Sequence, residues 1–142
     1  MRIYVDSSAL VKRAIQERES VELIDALDRH QHEGDALLSS SLAWVEVTRV
    51  LRSRLDLEPP TEVAQLIDVA LSGILEAPIT EKVISIARRL GPSTLRSPDA
   101  IHLAAATLLT ADVICAYDKR LLVAASELGF RTASPSPNEP RL

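Results

Sequence analysis

The sequence predicts an α/β sandwich on a mainly parallel sheet. Three observations carry that prediction. Short apolar runs such as RIYV and DVICAY alternate with longer segments of helical periodicity, capping residues stand at the starts of those segments, and the apolar residues are almost all aliphatic. With one Trp, one Phe and two Tyr among 46% hydrophobic residues, the core is built from Ala, Leu, Val and Ile. At 142 residues the chain can bury such a core without disulfides, and its length fits one domain better than two.

RIYV at residues 2–5 reads as a strand ending at Asp6, and SSALVKRAIQ after it reads as a helix capped by Ser7 or Ser8. Residues 20–30 place Leu23, Ile24 and Leu27 on one helical face. Gly34 and Asp35 then break the chain before a candidate strand, ALLSS. Residues 42–55 read as a helix stopped before the Pro59-Pro60 pair, and TEVAQLIDVAL as a helix with Thr61 as its cap. ILEAP is a short strand candidate ended by Pro78, and TEKVISIARRL a helix capped by Thr80 and ended at Gly91-Pro92. Ser97-Pro98-Asp99 combines a capping hydroxyl, a first-turn proline and an acid at the positive end of the helix dipole, so a helix runs from there to about Leu109. DVICAY is the most apolar strand candidate, followed by Asp118, the helix KRLLVAASELG and a short strand near residues 130–133. Residues 1–134 form a single domain on this reading. Residues 135–142 form a proline-rich tail that adds little to the core.

Composition removes several classes of function. Cys115 is the sole cysteine and lies in an apolar run, so it reads as a buried inert thiol; there is no disulfide or cysteine-based zinc site, which fits a cytoplasmic protein. The N-terminus carries charge too early for a secretory signal, and no apolar run reaches the length of a membrane span. A formal net charge of −4 gives no general attraction to nucleic acid, so a nucleic-acid substrate needs local basic residues or bound cations. A P-loop, a Rossmann glycine fingerprint and a zinc-protease motif are all missing.

What remains is a set of acids at telling positions. Ligands of a parallel sheet gather beyond the carboxyl ends of its strands. Asp6 follows the first strand and Asp118 follows DVICAY, so both emerge from one edge if those strands are parallel neighbours. Asp99 opens the helix leading into DVICAY, and Glu46 borders the apolar stripe of the helix after ALLSS. Each has an ordinary alternative: Asp6 and Asp118 as helix caps, Asp99 as a dipole-favoured first-turn acid, Glu46 in a salt bridge with Arg49 or Arg13. Converging in one cleft, they would stay ionised only around positive charge, and oxygen ligands suit Mg²⁺ or Mn²⁺ better than Zn²⁺. Ser8 can orient an acid there by donating a hydrogen bond. His102, one turn after Asp99, reads as a hydrogen-bonded structural residue before it reads as a general base, and His30 and His32 read as surface residues. Lys12, Arg13, Lys119 and Arg120 are candidates for contacts to a nucleic-acid backbone.

Taken in order, IYVDSSALVKR, SSLAWVEVTRVL, SPDAIHLAAA and VICAYDKRLLVAASELG resemble the four signature regions of PIN-domain proteins, and especially the VapC-type toxin ribonucleases of type II toxin–antitoxin pairs. The resemblance implies a three-layer α/β/α PIN-like sandwich and a Mg²⁺-dependent endoribonuclease (Mn²⁺ as a substitute). The family's metal-site acids then fall on Asp6, Glu46, Asp99 and Asp118, with its neighbouring hydroxyl on Ser8. It further implies a cognate VapB-type antitoxin, a homodimer and a structured RNA substrate, transfer RNA included, whose cleavage stops translation. A catalytically idle PIN-like binding protein and a metal-dependent DNA nuclease are the alternatives.

Overall fold

The computed structural model describes residues 1–142. Five strands are joined through seven helices. β1 (Arg2–Val5) leads into α1 (Ser7–Ala14) and α2 (Ser20–His32), and β2 (Ala36–Ser40) into α3 (Ser41–Arg54) and α4 (Pro60–Leu71). β3 (Leu75–Ala77) is followed by α5 (Glu81–Ala87) and α6 (Ser97–Leu108), and β4 (Val113–Cys115) by α7 (Lys119–Glu127) and β5 (Arg131–Ala133). The strands lie in the order β3-β2-β1-β4-β5, and every pairing is parallel. Parallel neighbours need a crossover through a helical layer, which is why no two strands here are joined by a tight hairpin.

β1 is the central strand, and alternation along it divides the interior. Ile3 and Val5 point into one core with Leu10 of α1, Leu23 and Leu27 of α2, and Val47 and Leu51 of α3. Tyr4 points to the other face, into a second core with Leu103 of α6, Ile114 of β4 and Leu121 of α7. The sheet is thus the middle layer of an α/β/α sandwich. Helices leave β1 and β4 toward opposite faces, so the sheet's topological switch point lies between these two strands at their carboxyl ends. No helix is long and apolar enough to cross a membrane.

Several local expectations change. Asp6, rather than Ser7 or Ser8, caps α1: its carboxylate accepts from the Ser8 amide. α4 starts a residue early with Pro60 in its first turn, where a missing N–H costs nothing, so Thr61 is not its cap. Ser97 is likewise inside α6 rather than capping it, and Arg96 occupies the cap position without a side-chain bond. Thr80 does cap α5 through Val83, but that helix ends at Ala87 and leaves residues 88–96 as a connecting loop. Gly73 ends α4 at φ +70°, and a Cβ there would collide with the Gln31 side chain. The strand expected in ILEAP is present as β3, where Leu75 pairs with Leu38 at the sheet's outer edge. In the tail, Leu142 packs on the first core and Tyr117 donates a hydrogen bond to the Pro135 carbonyl at 2.6 Å.

Leu10 and Leu103 are both fully buried, one in each core. Leu10→Ala and Leu103→Ala are each expected to cost about 2–5 kcal/mol. Urea denaturation followed by circular dichroism should show both losses in the same single transition; two separable transitions would mean that the faces fold independently.

Candidate metal centre

The four acids reach one cleft of about 370 Å³ at the carboxyl edge of the sheet, with Ser8 and His102 also in its lining. Asp6 sits where β1 becomes α1. Its amide still bonds the Cys115 carbonyl at 2.9 Å as the last rung between β1 and β4, while its own carbonyl accepts from Ala9 and Leu10. Backbone on both sides therefore fixes the residue, which is only 4% exposed. The Ser8 amide and hydroxyl donate to Asp6 Oδ2 at 3.0 and 2.6 Å, and the same hydroxyl accepts from the Tyr117 amide at 2.9 Å. Oδ2 is committed to this turn; Oδ1 is left facing the cleft, 3.6 Å from His102 Nε2.

The same division holds at Asp118 and Glu46. Asp118 Oδ1 caps α7 by accepting from the Arg120 and Leu121 amides at 2.8 and 3.2 Å, and Oδ2 has no protein partner. Glu46 Oε1 accepts from His102 Nε2, and Oε2 has none. Asp99, in the first turn of α6, makes no hydrogen bond through either oxygen. One oxygen of each anchored carboxylate fixes the side chain and the other is presented to the cleft.

His102 and Tyr4 are what hold Glu46. The Tyr4 phenol accepts from the Ser40 amide at 3.2 Å and lies 2.8 Å from His102 Nδ1. Burial pushes that phenol up to about 12, so it keeps its proton, which it donates to Nδ1 when the imidazole is neutral. The proton of the neutral imidazole is thereby directed to Nε2 and toward Glu46. Burial of His102 opposes its charged form, yet the Glu46 hydrogen bond and the negative charges of Asp6, Glu46 and Asp99 outweigh it and raise its pKa. The partner of Glu46 is thus neither Arg49 nor Arg13. Arg13 instead donates to the Ala70 and Ser72 carbonyls at the end of α4, both at 2.8 Å. His102 is the buried, hydrogen-bonded residue its apolar helix suggested. Tyr4 was not singled out, although alternation offers a signal: the extended backbone continues from β1 through Asp6, which puts residues 4 and 6 on one side.

Asp99 is held above the ordinary carboxylate range, first by partial burial and then by the charges of Asp118 and Asp6. The donor set is all oxygen apart from one imidazole, and its four carboxylates share one cleft, which fits a hard divalent cation. The carboxylates are set wide: no three of them bring an oxygen each within 4.8 Å of one another, whereas His30, Glu33 and Asp35 do. That second cluster is already satisfied, since Asp35 pairs with the N-terminal ammonium and with His30 at 2.7 Å. His30 is consequently not the free surface residue its polar surroundings suggested, while His32 is exposed.

An all-parallel 3-2-1-4-5 sheet with acids gathered at its switch point defines a class, and the PIN domain family profile matches residues 3–127. The chain belongs to the PIN domain family. Within it, the chain is similar to Ribonuclease VapC47 of Mycobacterium tuberculosis (strain CDC 1551 / Oshkosh), at 43% identity over 135 residues, covering 94% of this chain and 96% of that one. Among solved structures it resembles VapBC2 from Rickettsia felis bound to a DNA fragment from their promoter, with a TM-score of 0.72 at 11% identity over 94% of this chain and 98% of that one. It also resembles the sarcin-ricin-loop-cleaving toxin VapC20 of Mycobacterium tuberculosis, with a TM-score of 0.66 at 16% identity over 94% and 99% of the two chains.

The raised Asp99 pKa has a sign for stability. Its charged form weighs against folding, so the metal-free protein gains stability as pH falls through that pKa and loses it above. Asp99→Asn should therefore raise the melting temperature in EDTA at pH 7 by a few degrees, with the gain shrinking at high salt. A melting temperature that falls would show that Asp99 stabilises the fold. Tyr4→Phe strips the Ser40 amide and His102 Nδ1 of their shared partner and should cost about 1–3 kcal/mol in urea denaturation; an unchanged midpoint would show that the phenol holds nothing.

Proposed function

We propose that this chain is a Mg²⁺-dependent endoribonuclease acting as the toxin of a toxin–antitoxin pair. The observation that carries the reading is the presentation of one free carboxylate oxygen each from Asp6, Glu46 and Asp118, and two from Asp99, into a single cleft at the sheet's switch point. The similarity to Ribonuclease VapC47 supports RNA as the substrate class. The substrate is a structured RNA, with transfer RNA the foremost case.

In the mechanism, Asp6, Glu46, Asp99 and Asp118 hold Mg²⁺, or Mn²⁺ in its place. Bound there, the ion supplies positive charge to the phosphodiester and lowers the pKa of water for in-line attack. Ser8 locks the Asp6 carboxylate so that Oδ1 stays turned to the substrate side. His102, fixed by Tyr4, holds Glu46 in the cleft wall and keeps its second oxygen available. Asp118 joins α7 to the site, since the carboxylate that caps the helix also faces the cleft. On this reading the nucleophile is water, so the step is a direct hydrolysis: water loses a proton as its oxygen bonds phosphorus, and the P–O bond to the leaving oxygen breaks. The nuclease unit is residues 1–134, with residues 135–142 accessory to it. A cognate VapB-type antitoxin is the inhibitory partner, which the likeness to VapBC2 supports; the active form is a homodimer, and its place of action is the cytoplasm.

Purified protein, free of antitoxin, should cut a total-RNA pool into discrete products with Mg²⁺ or Mn²⁺ and none with EDTA. Asp6→Asn should lower that cleavage by about 100-fold or more, in line with losing a preorganised charge at a reacting centre. Cleavage that survives EDTA, or an Asp6→Asn protein of full activity, would overturn the mechanism.

A further inference from the structure

Cations around the acidic cleft fall into two groups. On the side of α1 and α3 the two cations that line the cleft are occupied: Lys12 Nζ lies 2.6 Å from Glu17 and 3.0 Å from Glu19, and Arg54 lies 2.9 Å from Glu17. Arg13 is spent on the two carbonyls that end α4. On the side of α6 and α7, Arg96, Lys119 and Arg120 are all exposed and none is in a salt bridge. They line a groove of about 510 Å³ between the loop before α6 and the outer face of α7, and Asp99 belongs to both this groove and the acidic cleft. The two therefore adjoin at Asp99. The groove's other acid, Glu127, lies eight residues along α7 from Lys119, about 12 Å by helical rise, so the cations stand at the catalytic end.

We infer that the groove between residues 92–96 and α7 is the track along which the RNA strand runs to the acids, with Arg96, Lys119 and Arg120 holding the phosphates that flank the scissile one. The assignment rests on the nuclease reading above and deepens it by giving the strand one side of the cleft. In a protein of net charge −4, binding of a polyanion needs local cations that are free, and these three are free while Lys12 and Arg54 in the opposite wall are neutralised. The groove contains none of the four aromatic residues, and its apolar floor is Leu95, Val123 and Ala124. It therefore grips backbone and lacks the stacking platforms that sequence-tolerant single-strand binders use.

The test separates binding from cleavage by placing all variants in the Asp6→Asn background with Mg²⁺ present. The probe is a short fluorescein-labelled RNA stem-loop, read by anisotropy across a salt series, with circular dichroism confirming the fold of each variant. Arg96→Ala, Lys119→Ala and Arg120→Ala should each weaken binding several-fold at low salt, and the triple variant more than tenfold. The slope of log affinity against log salt should drop by about 0.7 for each phosphate contact removed. Arg54→Ala, on the opposite wall, should change affinity less than twofold. A triple variant that keeps its RNA affinity and slope would overturn the assignment even if the groove then proved to hold a protein partner, and so would an equal loss from Arg54→Ala. Cleavage by the unaltered chain is scored separately: if no form binds or cuts RNA, the nuclease reading itself falls.

Discussion

The constraint on which the rest of the structure depends is electrostatic: four carboxylates must be held in one cleft although they repel one another. The two cations that line the cleft, Lys12 and Arg54, are paired with Glu17 and Glu19 rather than with these acids, and the consequence is visible at Asp99, whose carboxyl is held above its ordinary range by burial and by Asp118 and Asp6. The fold meets the constraint with anchors. Asp6 and Asp118 are fixed as helix caps by backbone amides, and Glu46 by an imidazole that a buried phenol orients. Each anchor uses one oxygen and spares the other, so the groups that hold the acids in place do not consume what a cation needs.

Topology explains why these four residues meet. With β1 at the centre of a parallel sheet and helices leaving β1 and β4 to opposite faces, the carboxyl ends of these two strands open onto the only edge not covered by a crossover between them. Asp6 directly follows β1, and Asp118 lies three residues past β4, just before α7. α3 and α6 bring Glu46 and Asp99 to the same edge, and the His102–Glu46 bond ties the two helices together there. The site is in this sense a structural joint as well as a cleft. The cations around it are distributed unevenly, which gives an anionic polymer one side on which to lie.

Much of this was legible from residue order. Asp6 and Asp118 could be placed because strand ends and a parallel sheet suffice to predict where their side chains emerge, and Asp99 because Ser-Pro-Asp marks a helix start. Glu46 was visible as an acid beside an apolar stripe, but its partner was not, since His102 lies 56 residues away and only tertiary packing brings them together. The same limit concealed the fate of Lys12 and Arg13. Both read as free cations on a helix, yet one is enclosed by Glu17 and Glu19 and the other reaches across to carbonyls near residue 70. Helix starts failed locally where two signals competed: Pro60 and Thr61, or Arg96 and Ser97, are both acceptable at a first turn, and backbone geometry rather than capping chemistry chose between them.

The central claim is that the acids at the switch point form a divalent-cation site. Calorimetric titration of Mn²⁺ into the metal-free protein tests it most directly, with Asp6→Asn and Asp35→Asn measured alongside. Saturable binding that is lost in Asp6→Asn and kept in Asp35→Asn is the predicted result. Binding that survives Asp6→Asn and disappears with Asp35→Asn would place the ion at the His30 cluster and contradict the account.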